Sequence, residues 1–305
     1  MKNFSGIVIA VFAILILAVS CASPPPPPEP PPPPPPAPVA APPPPPPPPP
    51  EEPPPPPPPP ADTSPELSAA FSVRYFNPYD GDLVIYLSAE DPSPITEWRF
   101  EINEPQPPYL LFYAWEGQGQ PPAQLSWDGR GIDGEMVMSA LDYPFVFTAT
   151  NELGNSSIFR SAIGTDIFVI QEGLNFRIQV PSIIFASNSG GWDGVDPEIS
   201  ATNAFILRRI AQALNRFSDY HIQVEGHANA TVPPSDVAGR QREHVEELQP
   251  LSELRAATIV NYLVGLGIDS ERLSYFGIGG DRPIADWDDR VNWWKNRRVE
   301  FLLIR

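Results

Sequence analysis

The sequence predicts a multidomain chain in which an all-β sandwich precedes an α/β sandwich with a mixed sheet, both carried behind a proline-rich segment. Three observations carry this. Thirty of the 46 prolines fall between Pro24 and Pro60, a stretch that buries no core. From Glu66 to about Glu172 apolar residues alternate in short runs, the period of half-buried strands. Beyond Gly173, alternating runs are interleaved with stretches of helical period, as expected for helices laid on a sheet.

The first element is an apolar run of 13 residues, Ile7 to Val19. It is short for a membrane span of roughly 20 residues and suits the core of a signal peptide over residues 1–20. Cys21, the only cysteine, follows Ala18-Val19-Ser20, so no disulfide framework is expected. This junction resembles a bacterial lipobox, with Ala18 where leucine is usual, and implies lipidation of Cys21. Ala22 does not resemble the inner-membrane retention signal, so the resemblance implies the outer membrane, with the folded domains in the periplasm. Residues 21–65 then form a lipid-anchored linker. Polyproline rises about 3.1 Å per residue, so the run from Pro24 to Pro60 extends to ~115 Å. Its charges are Glu29, Glu51 and Glu52 alone, and a passive spacer is favoured over a docking ligand.

Residues 66–172 read as the β-sandwich. Leu83, Ile85 and Leu87 alternate, as do Trp98, Phe100 and Ile102, and Tyr143, Phe145 and Phe147. Turn sequences such as Asn77-Pro78-Tyr79-Asp80-Gly81 and Leu153-Gly154-Asn155 separate such runs. Trp127-Asp128-Gly129-Arg130, Gly134-Glu135, Tyr143 and Gly154-Asn155 resemble bacterial immunoglobulin-like domains. Asp128, Asp133 and Glu135 lack the spacing of a calcium loop. The net charge of −18 is concentrated here: residues 61–200 hold 20 acids and 5 bases, against 14 and 13 in residues 201–305. Such an acidic surface repels phosphates and excludes a nucleic-acid partner.

Residues 173–305 form the second module. Phe176 to Val180 alternates and leads through Ile183-Ile184-Phe185 into a glycine-rich loop. A helix is expected from near Thr202, with Leu207, Ile210, Ala211, Leu214 and Phe217 on one face. Tyr220, Ile222 and Val224 mark a strand ending at Gly226-His227. A polar segment from Ala228 to Pro250 follows. The next helix is expected to start at Ser252 as N-cap and to end at Gly267, with Leu254, Ala257, Val260 (or Ile259) and Leu263 facing inward. Leu273 to Ile278 and Val299 to Ile304 read as further strands.

These blocks carry a second resemblance. Val224-Glu225-Gly226-His227, Leu251-Ser252-Glu253-Leu254-Arg255-Ala256, Gly267-Ile268, Gly277-Ile278-Gly279 and Asn296-Arg297-Arg298-Val299-Glu300-Phe301 look like the OmpA-like peptidoglycan-binding domain, over roughly Phe176 to Arg305. The resemblance implies non-covalent binding of the diamino acid of the peptidoglycan stem peptide, with contacts from Arg255, Asn229, Ala228, Phe185, Ala186, Ser252 and Arg297. In the family an arginine at the Arg255 position takes the carboxylate, a role the planar fork of guanidinium suits; a place in the first helical turn would add the helix dipole. An aspartate takes the ammonium, and here that position is Asn229. The loop from Asn229 to Leu251 is roughly ten residues longer than the family pattern. Either Asp236, Glu243, Glu246 or Glu247 supplies the missing carboxylate, or the wall uses a diamino acid that does not need it.

The remaining candidates read more plainly. His227 is expected to be structural, and no metal site or cofactor is expected. Arg297 and Arg298 either line the pocket or pair with acids. Trp287, Trp293 and Trp294 are expected to pack or to make cation–π contacts near Arg297 rather than to stack on sugars. No acid pair or activated nucleophile is apparent, so the chain is expected not to be an enzyme. The leading expectation is a tether between outer membrane and peptidoglycan. The alternative is an interaction or adhesion protein, in which the acidic sandwich binds an unknown protein partner and the C-terminal module serves only as wall anchor.

Overall fold

The computed structural model describes residues 63–186 and 188–305. The leader, Cys21 and the proline-rich linker, save its last three residues, lie outside them.

Antiparallel strands build the first body: β1 (Glu66–Phe71), β2 (Leu83–Glu90), β3 (Ile95–Asn103), β4 (Leu111–Gln118), β5 (Gln124–Trp127), β6 (Asp142–Asn151) and β7 (Ser156–Gly164). They form two sheets, ordered β1-β2-β5 and β4-β3-β6-β7, which share one core. The alternating residues of β2, β3 and β6 point into it, and the Phe100 and Phe145 rings stack at 4.8 Å. Each such side chain contributes roughly 1.5–3 kcal/mol by burial. Tyr143, also buried, uses its hydroxyl to accept a hydrogen bond from the Met138 N–H (2.8 Å), which satisfies the polar tip of an otherwise apolar side chain.

The second body contains β8 (Ile170–Glu172), β9 (Asn175–Val180), α1 (Pro197–Leu214), β10 (His221–His227), α2 (Val237–Glu243), α3 (Gln249–Gly265), β11 (Leu273–Gly279) and β12 (Val299–Ile304). Its sheet runs β11-β10-β12-β9-β8. The β10–β11 pair is parallel and the other pairs antiparallel. The sheet begins before the expected boundary at residue 173, because Gly173, with φ of +66°, is the turn of the β8–β9 hairpin and not a break between domains. Phe168 belongs to the sandwich core and its neighbour Ile167 to the next core.

Both α1 and α3 contribute to that second core. Ile206, Leu207, Ile210 and Leu214 of α1, with Ala256, Ile259, Val260 and Leu263 of α3, cover Ile178, Val180, Ile222, Val224, Phe301 and Leu303 of the sheet. The opposite side carries Arg177 and Gln179 of β9, Glu225 and His227 of β10, Glu300 of β12 and Arg298 just before β12. The sandwich lies on this side, where a cavity of about 240 Å³ is lined by Met136, Met138 and Phe168 together with Gln179, Ile284 and Lys295.

Two helix starts differ from expectation. Helix α1 begins at Pro197 rather than near Thr202, because Asp196 caps it by accepting from the Glu198 N–H (2.8 Å) and proline fits the first turn. The polar segment 228–250 holds α2, and α3 starts at Gln249, so Ser252 is not an N-cap. Between them, His244–Leu248 winds as one π-turn, with Gln249 N–H donating to the His244 carbonyl. Pro250 has no N–H for the Glu246 carbonyl and its ring would crowd it; widening the helix just before proline relieves that conflict. The C-terminus of α3 follows expectation. Gly267, with φ of +92°, donates to the Val264 carbonyl and Ile268 to that of Leu263, a closure that needs a left-handed residue.

Helix α3 seats on β10 and β11 through glycines. A methyl group at Gly226 would overlap the Ser252 carbonyl oxygen, and one at Gly277 the Gln249 carbonyl oxygen. Ser252, fully buried, locks the contact: its Oγ donates to the Gln249 carbonyl (3.0 Å) and accepts from the Gly279 N–H (2.9 Å). Gly226→Ala is therefore expected to destabilise the chain by about 1–3 kcal/mol. Gly265→Ala, where nothing lies within 4 Å of a new Cβ, should be neutral or stabilising by up to ~1 kcal/mol. Urea denaturation of the two variants checks the contrast.

Candidate functional site

At the end of β10 lies a cleft of about 260 Å³, lined by Ile183, Ile184, Phe185, Gly226, His227, Arg255, Arg297, Arg298 and Val299, with Gln106 and Trp294 on another side. Its floor is the polar side of the sheet. Glu300 accepts from Arg298 Nε (2.6 Å) and Gln179 Nε2 (3.1 Å) and pairs with Arg177; Glu225 accepts from Gln223 Nε2 (2.7 Å) and Arg282 Nη1 (3.0 Å). Burial works against the Glu300 carboxylate, but the charge and hydrogen bond of Arg298 and the other positive charges around it together outweigh burial and hold the group below its ordinary value. Three arginines thus compensate the two buried carboxylates, and Arg177 also pairs with the exposed Glu172 (2.8 Å).

His227 stands among these groups, 2% exposed, with neither ring nitrogen hydrogen-bonded. Burial, and after it the charge of Arg298, lowers its pKa to about 4, so the ring is neutral near pH 7. Glu225, His227 and Glu300 bring one ligand atom each to within 4.8 Å of one another, a grouping not foreseen in the sequence. Arginine donors already occupy these carboxylates, so the donor set fits an ion-pair network rather than a metal.

Arg255 lies in the second turn of α3, behind the contact at Ser252, so the dipole argument made for a first-turn position does not apply. Its Nε donates to the Ser189 carbonyl (3.1 Å) and its guanidinium sits 5.2 Å from the Phe185 ring centroid. Burial and the neighbouring charge of Arg297 lower its pKa; burial also lowers that of Arg297. Among the described residues neither guanidinium has a carboxylate partner. The loop facing Arg255 is fixed by Thr258 Oγ1, which donates to the Gly190 carbonyl (2.7 Å). Asn203, buried in α1, grips Ile184 through both of its amide groups (2.7 and 3.0 Å) and so places Phe185. Nothing in the sequence reading singled out Asn203; an amide on the apolar stripe of α1 was the available signal.

The expected site residues divide. Arg255, Phe185 and Arg297 meet on the cleft. Ala186 follows Phe185, and its carbonyl accepts from the Ser189 N–H (3.1 Å). Ser252 is buried behind the cleft. Ala228 is buried, with its N–H donated to the Gly279 carbonyl (2.8 Å). Asn229 lines a separate, smaller cavity with Trp287 and Asn296; its Oδ1 accepts from Asn296 Nδ2 (2.8 Å) and its Nδ2 donates to the Ala230 carbonyl (3.1 Å). Asn296 holds this corner together, also accepting from the Ile284 and Ala285 N–H groups (2.6 and 2.8 Å).

Two acids of the long segment have partners within it. Glu243 accepts from Thr231 N–H and Oγ1 (2.8 and 2.5 Å) and from Val232 N–H (3.2 Å); burial raises its pKa, yet these bonds hold it below the ordinary value. Asp236 caps α2 by accepting from the Gly239 N–H (2.8 Å), and Glu246 and Glu247 are exposed. Of the tryptophans, Trp294 packs on the sandwich core. Trp287 and Trp293 lie near Arg290, at 5.7 and 5.4 Å from its guanidinium, and not against Arg297 as expected.

Residues 195–297 match the family model described as OmpA family. This segment is an OmpA-family domain. A relative of the OmpA-family part, the peptidoglycan-associated lipoprotein of Mesorhizobium japonicum, is 36% identical over 125 residues, which cover 41% of this chain and 64% of the relative's length. That of Pseudomonas aeruginosa is 28% identical over 140 residues, covering 42% of this chain and 80% of its own. The solved peptidoglycan-associated lipoprotein from Burkholderia pseudomallei is 22% identical, covers 41% of this chain and 88% of its own, and gives a TM-score of 0.30.

The depressed pKa of His227 gives the OmpA-family domain a pH signature. An unfolded chain protonates this histidine near pH 6.5, the folded chain only at about 4. The contribution is therefore full above about pH 6.5 and is lost as pH falls toward 4. Between pH 7 and 4 the wild type should lose about 2–3 kcal/mol more stability than His227→Gln, read from urea denaturation at each pH.

Proposed function

We propose that the protein is a non-catalytic lipoprotein that ties the outer membrane to the cell wall by holding the diamino acid of the peptidoglycan stem peptide. The observation that carries this reading is the pair Arg255 and Arg297, two guanidiniums on one cleft with no carboxylate of the described residues to answer them. Buried charge is stable only when it is paired, so such a cleft is suited to an anion. A free carboxylate meets the planar fork of Arg255 with two hydrogen bonds, while the Phe185 ring holds the guanidinium in place.

The ammonium pole is weaker in this reading. Asn229 carries no charge and its amide is already engaged by Asn296 and Ala230, so binding rests on the carboxylate. The relatives named peptidoglycan-associated lipoprotein support the same partner, and Cys21 supplies the lipid anchor. The proline-rich linker then spaces anchor from wall, with residues 66–169 as sandwich and residues 170–305 as the wall-binding domain. The sandwich has an immunoglobulin-like plan. Its strand order sets β1-β2-β5 against β4-β3-β6-β7, Trp98 is buried on the third strand, and Tyr143 makes the hydroxyl-to-backbone bond of a tyrosine corner at the start of the sixth.

Detergent-solubilised full-length chain, titrated with purified peptidoglycan sacculi, tests the reading. Arg255→Ala is expected to weaken binding about 30-fold or more, and Arg255→Lys to recover only part of it, since lysine keeps the charge without the fork. Equal binding by wild type and Arg255→Ala would remove the cleft from the function.

A further inference from the structure

The cleft is not made by the OmpA-family domain alone. Gln106 lies in the connection between β3 and β4 of the sandwich and lines the cleft, and its carboxamide makes no hydrogen bond to any described residue. The connection is held at both ends. Glu104 N–H donates to the Leu110 carbonyl (2.7 Å), closing the loop, and Glu104 Oε1 receives Lys295 Nζ at 2.9 Å, with the two side chains 13% and 15% exposed. Lys295 belongs to the short 3₁₀ helix Arg290–Asn296, directly before Arg297. In the same helix Trp294 lines the cleft and packs against the sandwich core.

From this juxtaposition we propose that the sandwich completes the wall-binding site, with Gln106 as a specificity-determining residue and Glu104–Lys295 as the pair that positions it. The proposal rests on the wall-binding reading and adds the chemistry of the ligand's flank. Arg255, Arg297 and Arg298 offer donors only. Gln106 offers a donor and an acceptor from the other side of the cleft, which matches an amide. The ligand that satisfies both sides is a carboxylate with a peptide amide next to it, as at the end of a stem peptide, rather than a free amino acid or an inorganic anion. The pair Glu104–Lys295 holds that side at fixed distance from the arginines; its desolvation makes its loss felt more than that of an exposed ion pair.

The test uses the full chain and two soluble probes, the tripeptide L-alanyl-γ-D-glutamyl-meso-diaminopimelate and free meso-diaminopimelate, followed by isothermal titration calorimetry. Gln106→Ala should weaken the tripeptide about three- to tenfold and leave the free diamino acid unchanged. Glu104→Lys should weaken the tripeptide by a similar factor, and Glu104→Lys with Lys295→Glu should restore it. Arg255→Ala, run beside them, should weaken both probes. If Arg255→Ala loses both probes while Gln106→Ala and Glu104→Lys bind the tripeptide like the wild type, the sandwich plays no part and only this proposal falls. If the wild type binds neither probe nor sacculi, the wall-binding reading falls and takes the proposal with it. Circular dichroism melts of each variant separate a binding loss from a folding loss.

Discussion

The fit of helix α3 against two glycines governs the rest of the C-terminal domain. Because Gly226 and Gly277 carry no side chain, the backbone at Gln249 and Ser252 lies directly on β10 and β11. That contact fixes both the height and the rotation of α3. One turn later Arg255 emerges at the end of β10, opposite Arg297, and Thr258 reaches the loop at Gly190. A larger residue at either glycine would lift the helix and carry the guanidinium away from its partner across the cleft. Packing of backbone on backbone here sets the position of charge.

Charge, in turn, explains how a polar sheet face can be buried. Glu225 and Glu300 are both 2% exposed and are compensated by Arg177, Arg282 and Arg298. Removing one member would strand the others without water, a far larger effect than loss of an exposed pair. His227 fits among them only as the neutral ring, since a further cation would meet arginines on several sides. The positive charge of the cleft comes from Arg255 and Arg297, which have no carboxylate partner among the described residues. Although the chain as a whole is acidic, at −18, the cleft presents arginine.

Much of this was legible in the sequence because the two periods are clear. Phe100, Phe145 and Ile178 declare their inward faces by alternation, and Leu207, Ile210 and Leu214 by helical spacing. Gly267 was legible as a helix end since its left-handed conformation is costly for other residues. Pro250 misled for an equally physical reason. A proline normally stops a helix, and the single π-turn that accommodates it has no sequence signature of its own. Gly173 likewise looked like a break, whereas a hairpin turn needs the same residue. In the site, Arg255 and Phe185 were recoverable from family motifs. Gln106 and Lys295 were not, because their proximity depends on how one domain lies on another, which neither periodicity nor a local motif encodes. Asn229 stands at the motif position but turns to Asn296, and that hydrogen bond is visible only in three dimensions.

The adjacency of Ile167 and Phe168, one in each core, bears on the cost of recognition. Two domains joined by a flexible connector must give up orientational freedom whenever a ligand touches both. Here consecutive residues are committed to different cores, so no connector exists between them. The relative orientation is set during folding, before any ligand arrives. A ligand reaching across from Arg255 to Gln106 would meet two sides already in register and would spend its interaction energy on contacts rather than on halting a hinge.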